Sequence, residues 1–146
     1  KEFLKLIAFF SGTLALANIA IPIVNYFRPK KNLGEHFLGF TDELEVGGMK
    51  TFFIDEDRRN PYMLIRLSEG TWKAFEQKCT HLSCAVLYDH AEKRIVCPCH
   101  KGYFSPEDGQ VLQGPPPRPL PQLTVVQRGD SLYVTGYKRS AASQQA

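Results

Sequence analysis

The stretches Cys79-Thr80-His81-Leu82-Ser83-Cys84 and Cys97-Pro98-Cys99-His100 hold all four cysteines and two of the four histidines of this 146-residue chain. Thiolates and imidazoles gathered this closely point to a metal centre or to disulfides. Zinc is one reading, because cysteine and histidine together build closed tetrahedral sites. Against it, Cys79-x-His81 is tighter than the usual finger spacing, and a four-ligand zinc site leaves two cysteines over. A two-disulfide scaffold uses every cysteine but leaves both histidines idle. On the residues alone these readings stay open.

Outward from this stretch the pattern is that of short strands. Thr51–Ile54, Tyr62–Leu67, Thr71–Glu76, Cys84–Tyr88, Arg94–Cys97, Leu123–Val126 and Ser131–Thr135 are apolar or alternating runs rich in β-branched and aromatic residues. Gly47-Gly48, Glu69-Gly70, Asp108-Gly109 and Gly129-Asp130 supply the turns between them. Many short strands at close spacing predict an all-β, small antiparallel sandwich or barrel over residues 41–138. Residues 139–146, rich in Ser, Gln and Ala, read as a tail.

The hydrophobic share of 43% and charged share of 23% exclude a wholly disordered chain. The formal charge of +3 is unevenly placed: five basic residues and one acid precede Asn32, while thirteen basic residues and fourteen acids follow it. The larger part therefore carries no charge signature for nucleic acid. The excess flanks Leu6–Phe27, twenty-two residues without a charge, or about 33 Å as a helix, close to the thickness of a bilayer core. A buried core helix rarely stays uncharged this long, a cleaved signal peptide needs a shorter apolar centre and a small-residue cleavage site, and an amphipathic surface helix needs a charged face. Residues 1–27 are thus expected to form a single transmembrane anchor, with Ser11 and Ala15 suited to packing against partner helices. Residues 28–40 read as a flexible connector in which Pro29 stops the helix and His36 is a solvated residue rather than a ligand.

The two cysteine–histidine stretches resemble the Rieske iron–sulfur proteins, whose pattern is Cys-x-His, a spacer, then Cys-x-x-His. The resemblance implies a 2Fe–2S cluster held by Cys79 and Cys97 on one iron and by His81 and His100 on the other. It also implies a disulfide between Cys84 and Cys99, as in the respiratory and photosynthetic branch; ferredoxins of the oxygenase type generally lack that pair. Such a bridge closes about fifteen residues, worth about 3 kcal/mol in the chain-entropy model, and belongs on an oxidising side of a membrane. The cluster loops are then 79–84 and 97–104, with 114–120, containing Gly114, Pro115 and Pro116, as a stiff third loop over the cluster.

Two histidines in place of two thiolates make the oxidised centre neutral rather than dianionic, which raises its potential into a range of about −150 to +300 mV. The free ring nitrogen of each histidine couples electron and proton affinity on one residue, which suits hydroquinone oxidation with His81 and His100 as the catalytic pair. Where common family members continue with Gly-Ser-x-Tyr, this chain has Lys101-Gly102-Tyr103-Phe104, so neither Gly102 nor Phe104 can donate a side-chain hydrogen bond to the cluster. Ser105 or Tyr103 could substitute as donor through a different loop shape, and Ser83 stands where glycine is frequent. Two missing donors imply a lower potential and so menaquinol rather than ubiquinol or plastoquinol.

The resemblance therefore implies an electron-transfer subunit of a cytochrome bc-type quinol oxidoreductase. Its partners would be a quinol, a cytochrome b subunit and a c-type cytochrome in a dimeric membrane complex, with the head on the periplasmic, positive side. Arg28, Lys30 and Lys31 on the head side run against the positive-inside tendency. The alternatives are a membrane-tethered Rieske carrier serving another oxidase or oxygenase, and a zinc-bound structural module.

Overall fold

The computed structural model describes residues 2, 3, 18, 34–54 and 58–138. The anchor and tail expected at 1–27 and 139–146, and the first part of the connector, lie outside those residues apart from positions 2, 3 and 18; among the described residues no helix is long and apolar enough to cross a membrane. The chain divides into two units, Lys1–Asn32 and Leu33–Ala146. The described residues of the second unit form an all-β fold, as their turn-punctuated sequence leads one to expect.

Among the described residues ten strands follow one another: β1 (His36–Phe40), β2 (Met49–Phe52), β3 (Tyr62–Ser68), β4 (Thr71–Glu76), β5 (Leu87–Asp89), β6 (Arg94–Cys97), β7 (Gly102–Phe104), β8 (Val111–Gln113), β9 (Gln122–Arg128) and β10 (Ser131–Tyr137). They build a six-stranded sheet in the order β1-β10-β9-β4-β3-β2 and a four-stranded sheet in the order β5-β6-β7-β8. Every pairing is antiparallel.

Strand β3 explains how the two sheets share a core. Its run Tyr62-Met63-Leu64-Ile65 is apolar at four successive positions and buried at all four, so both of its faces are covered. Met63 and Ile65 join Phe75, Val86, Ile95, Phe104 and Leu120 in one core, which also takes in Cys79 and Cys97. Tyr62 and Leu64 face the other way and pack with Leu38, Ala74, Leu123, Leu132 and Val134. Around this second core the edge strands β1 and β2 are tied together by Lys50 Nζ, which donates to Leu38 O at 3.4 Å. The six-stranded sheet thus curls toward a barrel, as closure of a strongly twisted sheet requires.

Three expectations need correction. The connector does not extend to residue 40: His36–Phe40 is an edge strand paired with β10 from His36↔Val134 to Phe40↔Ser131, and His36 is a half-buried ladder residue. Gly39 lies within the strand, at an irregularity where the register shifts between Phe37 and Gly39. The expected strand Cys84–Tyr88 shrinks to Leu87–Asp89, because Ala85 makes only a single bridge to Lys78 at the neck of a loop. The expected Thr51–Ile54 slides to Met49–Phe52, where pairing with Tyr62–Ile65 begins directly after the Gly47-Gly48 turn. Strands β7 and β8, three residues each, are too short for alternation to announce them.

Candidate metal centre

Two loops carry the ligand candidates, and each is closed at its base by backbone hydrogen bonds. In the first, Cys79 N donates to Cys84 O at 2.7 Å and Ser83 N to Cys79 O at 2.9 Å, turning six residues back on themselves. Below it Val86 N donates to Gln77 O at 3.3 Å, while Gln77 Nε2 donates to Val86 O at 3.1 Å and Gln77 Oε1 accepts from Thr51 Oγ1 at 2.9 Å. Gln77 is buried, so this amide with partners at both ends clamps the neck of the loop to β2. The second loop is the β6–β7 turn, closed by the pairing of Cys97 with Gly102. Ser83 and Lys101, one in each loop, hold φ values of 60° and 53°. Side chains rarely adopt that left-handed backbone, so each loop stores some strain beside a ligand candidate.

Cys84 and Cys99 form a disulfide that joins the loops, with their Cα atoms 6.6 Å apart. Cys79 and Cys97 are free thiols, 4% and 2% exposed. Burial pushes the Cys79 thiol up, the neighbouring Cys97 adds to the rise, and the backbone N–H groups of His81 and Leu82 on its sulfur pull the other way. The sulfurs of Cys84, Cys97 and Cys99 lie within 4.8 Å of one another. Since two of these are bonded to each other, only Cys97 of the three can offer a thiolate. His81 and His100 are exposed, and their rings meet edge to face with centroids 5.0 Å apart and planes at 84°.

The third loop lies over the other two. Thr80 Oγ1 donates to Arg118 O at 2.6 Å, and Leu120 N donates to Gly109 O at 2.9 Å, which holds the far end of the loop. Gly114, with φ of 97°, sits so close to the 101–102 backbone that a Cβ on it would stand 2.7 Å from Lys101 O. Pro116 is buried while Pro115 is exposed.

The structure pairs the thiols of Cys79 and Cys97 and, separately, the rings of His81 and His100, on two loops bridged by Cys84 and Cys99, with Ser83 in the first loop and Gly102, Gly114 and Pro116 packed at the second. Phe104 is fully buried in the core that contains both free thiols. Tyr103 is not brought in. Its neighbours Gly102 and Phe104 point to the Cys97 side of β7, so Tyr103 faces away, under the Arg94 guanidinium 4.1 Å from its ring centroid. Sequence reading passed over Thr80 and Gln77, because buried glutamine has no local signal and is uncommon as a type.

The donor chemistry fits an iron–sulfur group. Two thiols are sealed from water and two imidazoles are open to it, and a bound cation would offset the burial that raises the Cys79 thiol. A zinc site would not require this split between a dry sulfur side and a wet nitrogen side. Such a mixed sulfur and nitrogen donor set is the one used by electron carriers with a two-histidine diiron centre.

Residues 35–124 match the Rieske [2Fe-2S] domain. The chain belongs to that family, and its cofactor is a Rieske-type 2Fe–2S cluster. It is 30% identical over 128 residues to the cytochrome b6-f complex iron-sulfur subunit of Chlorobaculum thiosulfatiphilum, covering 85% of this chain and 68% of that one. A cytochrome b6-f complex iron-sulfur subunit of Prochlorococcus marinus strain MIT 9515 is 31% identical over 134 residues, covering 82% of this chain and 75% of the relative. Among solved structures, the plasma membrane Rieske protein PetC3 of Synechocystis PCC 6803 superposes with a TM-score of 0.59 at 27% identity, over 69% of this chain and 99% of that one. The ferredoxin of carbazole 1,9a-dioxygenase from Nocardioides aromaticivorans IC177 shares the fold, with a TM-score of 0.60 at 22% identity over 70% of this chain and 98% of that one.

Proposed function

We propose that this chain is the Rieske subunit of a cytochrome bc-type complex, taking one electron and a histidine-coupled proton from quinol and delivering the electron to a c-type cytochrome. The observation that carries the reading is the asymmetry of the site: the thiols of Cys79 and Cys97 are buried while the rings of His81 and His100 are exposed side by side. Cys79 and Cys97 would hold one iron and His81 and His100 the other, and the bound cluster supplies one-electron acceptance at a potential set by its two-histidine ligation. The chain's own part is to hold a proton on the outward ring nitrogen, to leave that nitrogen open to a quinol hydroxyl, and to keep water from the sulfurs. The names of the cytochrome b6-f relatives support placement in a complex with a cytochrome b subunit.

Menaquinol is the donor we favour, because neither Gly102 nor Phe104 carries a hydroxyl that could stabilise the reduced centre. Anchoring by residues 1–27, a head on the positive side of the membrane and a dimeric assembly belong to the same proposal, supported by the uncharged stretch Leu6–Phe27 and by a disulfide suited to an oxidising compartment.

The decisive experiment is a redox titration of the full chain across pH, read by the reduced-state electron paramagnetic resonance signal. The expected midpoint falls as pH rises and lies below that of high-potential relatives. A pH-independent midpoint would remove the proton-coupled role, and a value near +300 mV, the top of the range for such centres, would remove menaquinol. Co-purification with a di-haem cytochrome b is expected; its absence would leave a membrane-tethered carrier for another oxidase or oxygenase.

A further inference from the structure

Gly102 opens β7 opposite Cys97 and is buried there. Its backbone is not in the left-handed region, so chain conformation does not call for glycine. Space does. A Cβ at 102 would stand 2.8 Å from Cγ and 3.2 Å from Cδ of Pro116, and 3.5 Å from Cβ of Cys97. A proline ring cannot swing aside as a long side chain can. Nor can the loop that carries it lift freely, since Gly114 lies on the 101–102 backbone and Arg118 O is held by Thr80. Of the three consecutive prolines, only the middle one is turned inward and buried.

We propose that Gly102 and Pro116 are a matched pair of positioning residues: the missing side chain at 102 lets the Pro116 ring close over the Cys97 side of the cluster. The pair thereby excludes water and side-chain hydroxyls together. A hydroxyl-bearing residue at 102 is incompatible with the third loop in its present seat, so the lack of a donor there is built into the packing. This inference rests on the 2Fe–2S cofactor and does not depend on which molecule donates the electron.

The test compares Gly102→Ser, Pro116→Ala and the double variant in the full, cluster-loaded chain. The readouts are the bleaching rate of visible absorbance, visible circular dichroism and the midpoint potential. Gly102→Ser alone is expected to bleach about tenfold faster, as overpacking does, with an altered dichroism spectrum. Pro116→Ala alone is also expected to bleach faster, because the ring no longer covers the site. In the double variant the serine has room. Its bleaching rate is expected to return to that of Pro116→Ala and its midpoint to rise above it, a non-additive outcome of the kind contacting residues give. The proposal is overturned if Gly102→Ser keeps the parent's bleaching rate and dichroism, or if the two effects simply multiply. Should Gly102→Ser fail to load its cluster, Pro116→Ala must restore loading, and failure to do so overturns the pairing as well. A parent chain without iron or labile sulfide would instead overturn the cofactor, a result distinct from all of these.

Discussion

Phe104 and Tyr103 are adjacent aromatic residues with opposite surroundings. The first is fully buried with Cys79 and Cys97, and the second stacks under Arg94 on the other face of the strand. A hydroxyl added by Phe104→Tyr enters the sulfur side of the site. If its hydrogen bond favours the reduced centre by about 1 kcal/mol, the midpoint rises by about 40 mV. Removing the hydroxyl with Tyr103→Phe is expected to leave the midpoint unchanged, and titrations of the two variants side by side check both. A rise absent from Phe104→Tyr would mean that its ring does not reach the cluster. The candidate ligands stand out in the sequence because coordination chemistry admits few residue types, and cysteine and histidine are clustered there. The role of Tyr103 was not legible there, since it depends on which face of a three-residue strand it occupies, and that is settled by pairing with Val96 and Gln113.

Strands β3, β4 and β10 are joined at one end by a short polar chain. Tyr137 donates to Glu76 Oε1, and its hydroxyl lies 3.3 Å from that of Tyr62. Burial, and then the Glu76 carboxylate and Tyr62, push the Tyr137 phenol well above its ordinary value. Native protein therefore holds this proton where unfolded chain has lost it, so the stability it contributes is present below about pH 10 and declines as pH rises beyond. Tyr137→Phe is expected to flatten that alkaline decline, measured as denaturant midpoints between neutral and strongly basic solution; an unchanged slope would assign the decline to other groups. Among the loops, replacing Cys84 and Cys99 by alanine removes a cross-link spanning 15 residues. The expected loss is about 3 kcal/mol in chemical denaturation, with cluster release preceding global unfolding. Strands with alternating or continuous apolar runs were readable in advance. Strand β1 was not, because a histidine and a glycine make His36–Phe40 look like a linker until β10 is available to pair with it.

At the scale of the whole head, two cores divide the work. One contains the cysteine candidates and the other contains none of them. Removing iron by chelation under reducing conditions is thus expected to raise amide hydrogen exchange across residues 78–86 and 97–102 while β9 and β10 stay protected. Uniform loss of protection would show instead that the cores unfold together. The architecture has a further meaning for how such proteins can be altered. The whole segment from Gln77 to Pro121 leaves the six-stranded sheet after β4 and returns to it at β9, and β4 and β9 are hydrogen-bonded neighbours, with Glu76 N donating to Pro121 O at 2.9 Å. Entry and exit are therefore a few ångströms apart, like the two wires of a plug. A segment with such neighbouring ends can be seated between paired strands of another scaffold without redirecting the recipient's chain, provided that scaffold presents an apolar face equivalent to Met63, Ile65 and Phe75, on which the segment packs here.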